Sequence, residues 1–115
     1  MELYLKKFEE CPTYDQDDGP NVEFRRLLGP GVVPGLAIGL VTLQGPTYTK
    51  PRRHADFHQV YLIISGSGTV KIGEHTTHVQ GPTIAVIPRD TAHSVELTEG
   101  ETMQYIYISE FITED

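Results

Sequence analysis

Glycine and proline interrupt this chain so often that only short extended segments can form between the breaks. Gly29-Pro30-Gly31, Gly45-Pro46, Gly66-Ser67-Gly68, Gly73-Glu74, Gly81-Pro82 and Pro88-Arg89-Asp90 punctuate its middle and second half, which is the rhythm of an antiparallel sandwich or barrel. The segments between them are β-prone: 22–28, 35–43, 60–65, 68–72, 75–79, 83–87, 93–98 and 103–109. Val, Ile and Thr contribute 9, 9 and 12 residues against only 4 Ala, and branched side chains suit a pleated surface better than a helix. No segment combines the length and the 3.6-residue period of a helix. Taken with the paired motifs described below, this rhythm leads to the expectation of nine or more strands in one barrel, with almost no helix. Gly73-Glu74 reads as a two-residue hairpin turn. Gly66-Ser67-Gly68 lacks the Lys-Ser/Thr tail of a phosphate loop and reads as a β-turn.

At 115 residues there is room for one domain, divided into an N-terminal strand with an acidic loop or arm (1–21) and a barrel (22–115). Residues 9–21 carry five acids, two prolines and a glycine, too little apolar surface for an element of their own. The net charge of -7 excludes the broad basic field that nucleic-acid binding needs. No apolar run spans a bilayer, and the first residues do not form a secretory signal. The single cysteine, Cys11, excludes an intramolecular disulfide and a Cys-rich metal centre, and fits a cytoplasmic location. Nothing in sequence beside Cys11 activates it as a nucleophile. One basic cluster stands out, Lys50, Arg52 and Arg53 beside His54.

Strand parity places some side chains. In 93–98, Val95 and Leu97 share a face with His93, so His93 points where the core points. The strand 60–64 is apolar on both parities, so a second sheet or a partner chain should cover each face. Parity leaves open which of His58 and Gln59 faces inward, and whether Tyr105 and Tyr107 or Ile106 and Ile108 line the interior. His75 and His78, three apart, point to opposite faces of a strand.

Two stretches carry a family resemblance. His54-Ala-Asp-Phe-His58-Gln59 running on to Gly66, followed by Gly81 through Pro88 and Asp90 to His93, resembles the paired motifs of the cupin superfamily, in particular small single-domain proteins of the cupin 2 type. Counting back from Gly66, Gln59 takes the position of the family's glutamate, His54 that of its second histidine and Arg52 that of its first. Asp90 stands where glycine is usual. The resemblance implies an all-β, antiparallel jelly-roll barrel, commonly a homodimer. It implies a divalent metal (Zn, Ni, Mn or Fe) held by His54, His58, Gln59 and His93, in an enzyme such as an isomerase, lyase or dioxygenase. Its substrate would be a small polar or anionic metabolite: a sugar acid, a keto acid or a phenolic.

The segment from Arg53 to Gly68 is also similar to the ligand-binding domains of AraC-type regulators, cupins that often bind a small molecule without metal. Those regulators carry helix-turn-helix units after the barrel, and this sequence ends at Asp115. The alternative expectation is therefore a metal-free sensor or binding barrel in which Arg52, Gln59, Tyr61 and His93 hydrogen-bond the ligand. A guanidinium cannot coordinate a cation. Arg52 accordingly either holds an anionic group of the ligand or leaves the barrel to meet solvent or an acid such as Asp56, while Arg53, of opposite parity, turns away.

Overall fold

The computed structural model describes residues 3–111. A single 3-10 turn (Phe8–Glu10) precedes nine strands: β1 (Thr13–Tyr14), β2 (Val22–Leu28), β3 (Leu36–Gln44), β4 (Thr47–Tyr48), β5 (Phe57–Ile72), β6 (His75–Gln80), β7 (Thr83–Ile87), β8 (His93–Leu97) and β9 (Thr102–Phe111). They pair antiparallel in the order β1-β2-β3-β9-β5-β8-β4, with β6 and β7 also on β5. Among the described residues no helix is long and apolar enough to cross a membrane.

β5 organises the molecule. Residues from Phe57 to Gly66 pair with β9, those from Gln59 to Ile63 with β7 as well, while residues from Ser67 to Ile72 pair with β6 and those from Thr69 to Ile72 also with β8. One strand thus serves both halves of a curled sheet. The two runs 60–65 and 68–72 are therefore a single strand, and Gly66-Ser67-Gly68 is the corner at which it changes partners, correcting the expected β-turn. Gly66 has φ +84° and a register shift lies just before it, between Ile63 and Ser65. A bulge with a glycine at positive φ bends a strand without ending it. At Gly73-Glu74, by contrast, the expected two-residue turn joins Ile72 to its partner His75.

Alternation along the strands sorts the side chains into two faces. The inner face gathers the core, with Val41, Leu43, Ile63, Ile87, Val95, Leu97, Met103 and Tyr105 all at 2% exposure or less. Tyr105 and Tyr107 face in with Ser109, leaving Ile106 and Ile108 to the outer face. A smaller outer cluster of Cys11, Leu27 and Leu40 lies under the N-terminal segment, which is tied down by Tyr4 Oη donating to the Leu27 carbonyl at 2.5 Å. Among the described residues no second layer covers the outer face of β5. Leu62 and Ile64 are 37% and 43% exposed, and Ile84 and Val86 on β7 are 65% and 60% exposed. The apolar outer parity of 60–64 is therefore open, which removes the sandwich alternative.

Residues 9–21 are stitched to the barrel. β1 pairs with β2, Arg26 N donates to the Pro12 carbonyl at 2.9 Å, and Gly19 N donates to the Tyr48 carbonyl at 2.9 Å. Thr47 Oγ1 also donates to the Pro20 carbonyl. Contrary to the expectation from its composition, the segment forms the short strand β1, buries Cys11 and packs Tyr14 on the core, because backbone hydrogen bonds to β2 and β4 and one buried acid described below hold it in place.

Candidate ligand-binding site

The inner face encloses a cavity of about 250 Å³. Its wall is built by parity from β2, β3, β5, β8 and β9, and by the loop 49–56. β5 supplies Phe57, Gln59 and Tyr61, whose alternation with exposed His58 follows from the burial of Tyr61 and Ile63 in the core. His58 lies on the outer surface and does not line the cavity, so it is not one of the converging groups expected from the cupin spacing. Gln59 is.

His54 and His93 meet although 39 positions separate them: their ring centroids lie 5.0 Å apart. His93 is 5% exposed and its Nδ1 lies 3.1 Å from the Thr91 carbonyl. Since a carbonyl only accepts, Nδ1 is the donor in that bond, and in the neutral ring Nε2 is then an acceptor. Arg52 and His93 face each other across an isolated antiparallel bridge, Arg52 N to His93 O at 3.0 Å and His93 N to Arg52 O at 2.9 Å. Residues opposed in this way project to the same side, so Arg52 enters the cavity wall. The acid that meets Arg52 is Asp18, not Asp56. Its Oδ1 lies 2.9 Å from Arg52 Nη2, and its side chain is 1% exposed. The same oxygen accepts from Lys50 N at 2.7 Å. Arg53 is turned outward, 63% exposed, with Asp90 at 3.9 Å. Asp90 itself has φ +59°, which explains why glycine is usual there; Asp is among the few other residues that tolerate this region.

The rings form a continuous path. Phe111 packs on Phe57 (4.7 Å between centroids), Phe57 stacks on His54 (4.4 Å), and Tyr61 meets His93 edge-on (6.0 Å) and stacks on Tyr105 (4.5 Å). Across the cavity Tyr14 and Tyr107 share a hydrogen bond of 2.6 Å between hydroxyls. Tyr107 lies flat because Gly39 is opposite it: a Cβ there would sit 2.2 Å from the ring. Burial raises the pKa of Tyr61 and Tyr105, so both remain neutral phenols.

Two buried acceptors lack a donor among the described residues, Gln59 Oε1 and Asp18 Oδ2. Gln59 Nε2 donates to Ser109 Oγ at 3.1 Å, which leaves the amide oxygen available to a bound group.

Burial, then His93 and Arg52, depress the pKa of His54; burial, with Arg52 adding to it, depresses that of His93. Each histidine therefore binds fewer protons in the folded than in the unfolded chain. Their contribution to stability is complete above the unfolded value of about 6.5 and is lost as pH falls through the depressed values. Thermal denaturation from pH 8 to 5 should give a melting temperature that is level down to about pH 6.5 and declines below it. The decline should be shallower in His93→Gln; an identical profile in that variant would assign the acid sensitivity elsewhere.

A divalent cation is a poor fit to these donors. Two imidazoles and one amide line the cavity, the family's first histidine position holds an ion-paired guanidinium, and no carboxylate lines the cavity among the described residues. Nor does any described cluster of three or more His, Cys, Asp or Glu fit a metal. A cationic neighbour raises the cost of placing a second cation beside it.

Sequence reasoning did not reach Tyr14, Arg26, Phe57, Ser109 or Asp18. Parity with Phe24 signals the inward face of Arg26 in β2, whereas nothing local distinguishes Asp18 from the other acids of its loop.

A nine-stranded antiparallel sheet curled around a cavity at its inner face defines a cupin barrel, and solved structures agree. The chain is similar to the polyketide cyclase RemF from Streptomyces resistomycificus (13% identity, TM-score 0.81, covering 99% of this chain and 88% of that one). It is similar also to a predicted oxalate decarboxylase from Thermotoga maritima (12%, 0.79, 95% and 100%) and to a cupin-2 domain from Rhodospirillum rubrum (12%, 0.78, 97% and 77%). At such identities the likeness is one of fold. The family model of the AraC-like ligand binding domain matches residues 35–113, and the chain belongs to that family. No curated protein matches it in sequence.

Proposed function

We propose that this chain is a metal-free barrel that binds a small organic molecule in the cavity bordered by Arg52, Gln59, Tyr61 and His93. The observation that carries this reading is Arg52: it occupies the position of a metal-binding histidine, stays in the wall, and is held there by Asp18. Membership of a ligand-binding family supports it, as does a buried amide oxygen of Gln59 without a donor. His54 and His93, both kept neutral, serve as hydrogen-bonding groups. The buried, unpaired Cys11 supports a cytoplasmic setting. The open apolar patch of Leu62, Ile64, Ile84 and Val86 supports a homodimer formed through the outer sheet, which sedimentation velocity will detect as a species of twice the chain mass.

Calorimetric titration of untagged protein with Zn²⁺, Ni²⁺, Mn²⁺ and Fe²⁺ tests the absence of a resident metal. The expected result is no stoichiometric binding and no rise in melting temperature. One equivalent bound in the wild type and lost in both His54→Ala and His93→Ala would overturn the reading and restore a metal-dependent enzyme acting on a small polar or anionic metabolite.

A further inference from the structure

Charge and aromatic content are distributed very unevenly between this cavity and the rest of the chain. The chain has 16 Asp and Glu against 9 Lys and Arg. Arg26, Lys50 and Arg52 nevertheless line the cavity, and no described Asp or Glu does. Two of these cations are already compensated, Lys50 by Asp17 and Arg52 by Asp18. Arg26 is not: it projects inward from β2 on the parity of Phe24, sits 4.7 Å over the Tyr14 ring, and has no carboxylate partner among the described residues. The one uncompensated charge on the wall is therefore positive. Of the chain's 10 aromatic residues, 7 line the same cavity, enough to sandwich a flat ring and more than a polyol would use. An apolar cavity of about 150 Å³ accepts a benzene ring, so about 250 Å³ leaves room for one ring with two small substituents.

We infer that the ligand is a small aromatic carboxylate, its ring among Tyr61, Tyr105, Tyr107 and Phe57 and its carboxylate on Arg26 beside the Tyr14–Tyr107 hydroxyl pair. Guanidinium binds carboxylate through two parallel N–H···O bonds. A hydroxyl on the far side of the ring supplies the donor that Gln59 Oε1 lacks. This inference rests on the reading of the cavity as a binding site and gives it a substrate class.

The test uses four probes on the intact chain: 4-hydroxybenzoate, its neutral counterpart 4-hydroxybenzamide, the saturated cyclohexanecarboxylate, and a neutral pentose. Binding is measured by calorimetry in the wild type, in Arg26→Met and in Arg26→Lys. Arg26 is exposed at the cavity mouth, so both variants retain the fold, as circular dichroism will verify. The expected result is that 4-hydroxybenzoate binds at least about tenfold more tightly than the amide or the saturated acid. That margin over the amide should vanish in Arg26→Met and be partly kept in Arg26→Lys, with amide affinity unchanged. If the pentose or the amide binds as tightly as 4-hydroxybenzoate, the aromatic-carboxylate class is wrong and the binding-site reading survives. If the margin is unaffected by Arg26→Met, the anion is held elsewhere and the assignment to Arg26 falls. Failure of all four probes at millimolar concentration overturns both the class and the site.

Discussion

Gly66→Ala should lower the melting temperature by more than about 10 °C. At this position in β5 a Cβ would lie 1.8 Å from the Thr102 carbonyl oxygen and 2.8 Å from Met103 Cα, both of them backbone, and φ is +84°. No rotamer relieves such a clash, because the added atom has no torsion of its own. The β5–β9 ladder would have to part at the place where β5 passes from one half of the sheet to the other. Overpacking costs about 1–3 kcal/mol and a left-handed non-glycine residue about 1–2 kcal/mol more, and each kcal/mol moves the melting point of a domain this size by about 4–8 °C. Gly68→Ala is the control. Its Cβ would meet only the movable ends of Leu97 and Met103, at 2.7 and 2.9 Å, so its loss should be smaller. Equal melting temperatures for wild type and Gly66→Ala, followed by tyrosine circular dichroism, would refute the corner geometry.

Removing the buried acid should have two opposite effects. In Asp18→Ala the Arg52 guanidinium, 29% exposed, keeps its charge without its counter-ion, and Lys50 N loses its acceptor. Breaking a buried pair from one side costs about 3–5 kcal/mol; partial exposure of Arg52 reduces that to about 2–3 kcal/mol, measurable by urea denaturation. The freed charge lies on the cavity wall, so affinity for 4-hydroxybenzoate should rise while that for the amide stays level. Asp17→Ala, which removes the exposed partner of Lys50, should leave stability nearly unchanged. A stable Asp18→Ala protein with wild-type affinity for the acid would show that the Arg52 ion pair contributes to neither fold nor site.

Strands, turns and facing were legible wherever the cause was local. The hairpin at Gly73-Glu74 follows from turn chemistry, and the inward face of His93 follows from its parity with Val95 and Leu97, which are 1% and 2% exposed. Gly66-Ser67-Gly68 was misread because the same glycine that closes a turn also permits a bulge, and only the partners β9 and β8 on either side distinguish the two. His58 and Gln59 were equivalent in sequence until Tyr61 and Ile63 entered the core and fixed the parity of β5.

By itself the sequence determined an all-β chain and most of its strands, because turn residues and a two-residue alternation act over a few positions, while the cupin barrel followed from the resemblance of its paired motifs. Motif spacing also marked His58, wrongly, since it faces outward, and Arg52, His54, Gln59 and His93, which line the cavity. Only the tertiary structure decided which groups share the cavity with them. Tyr14, Arg26, Arg52 and Tyr107 on the wall, with Asp18 against Arg52, come from four separate segments, and their meeting depends on chain closure around the barrel. Closure chose Asp18 over Asp56 as the partner of Arg52, left Arg26 as the uncompensated cation, and cleared space at Gly39 for the Tyr107 ring. Each outcome is set by distances between residues far apart in the chain, and local propensity carries no information about them.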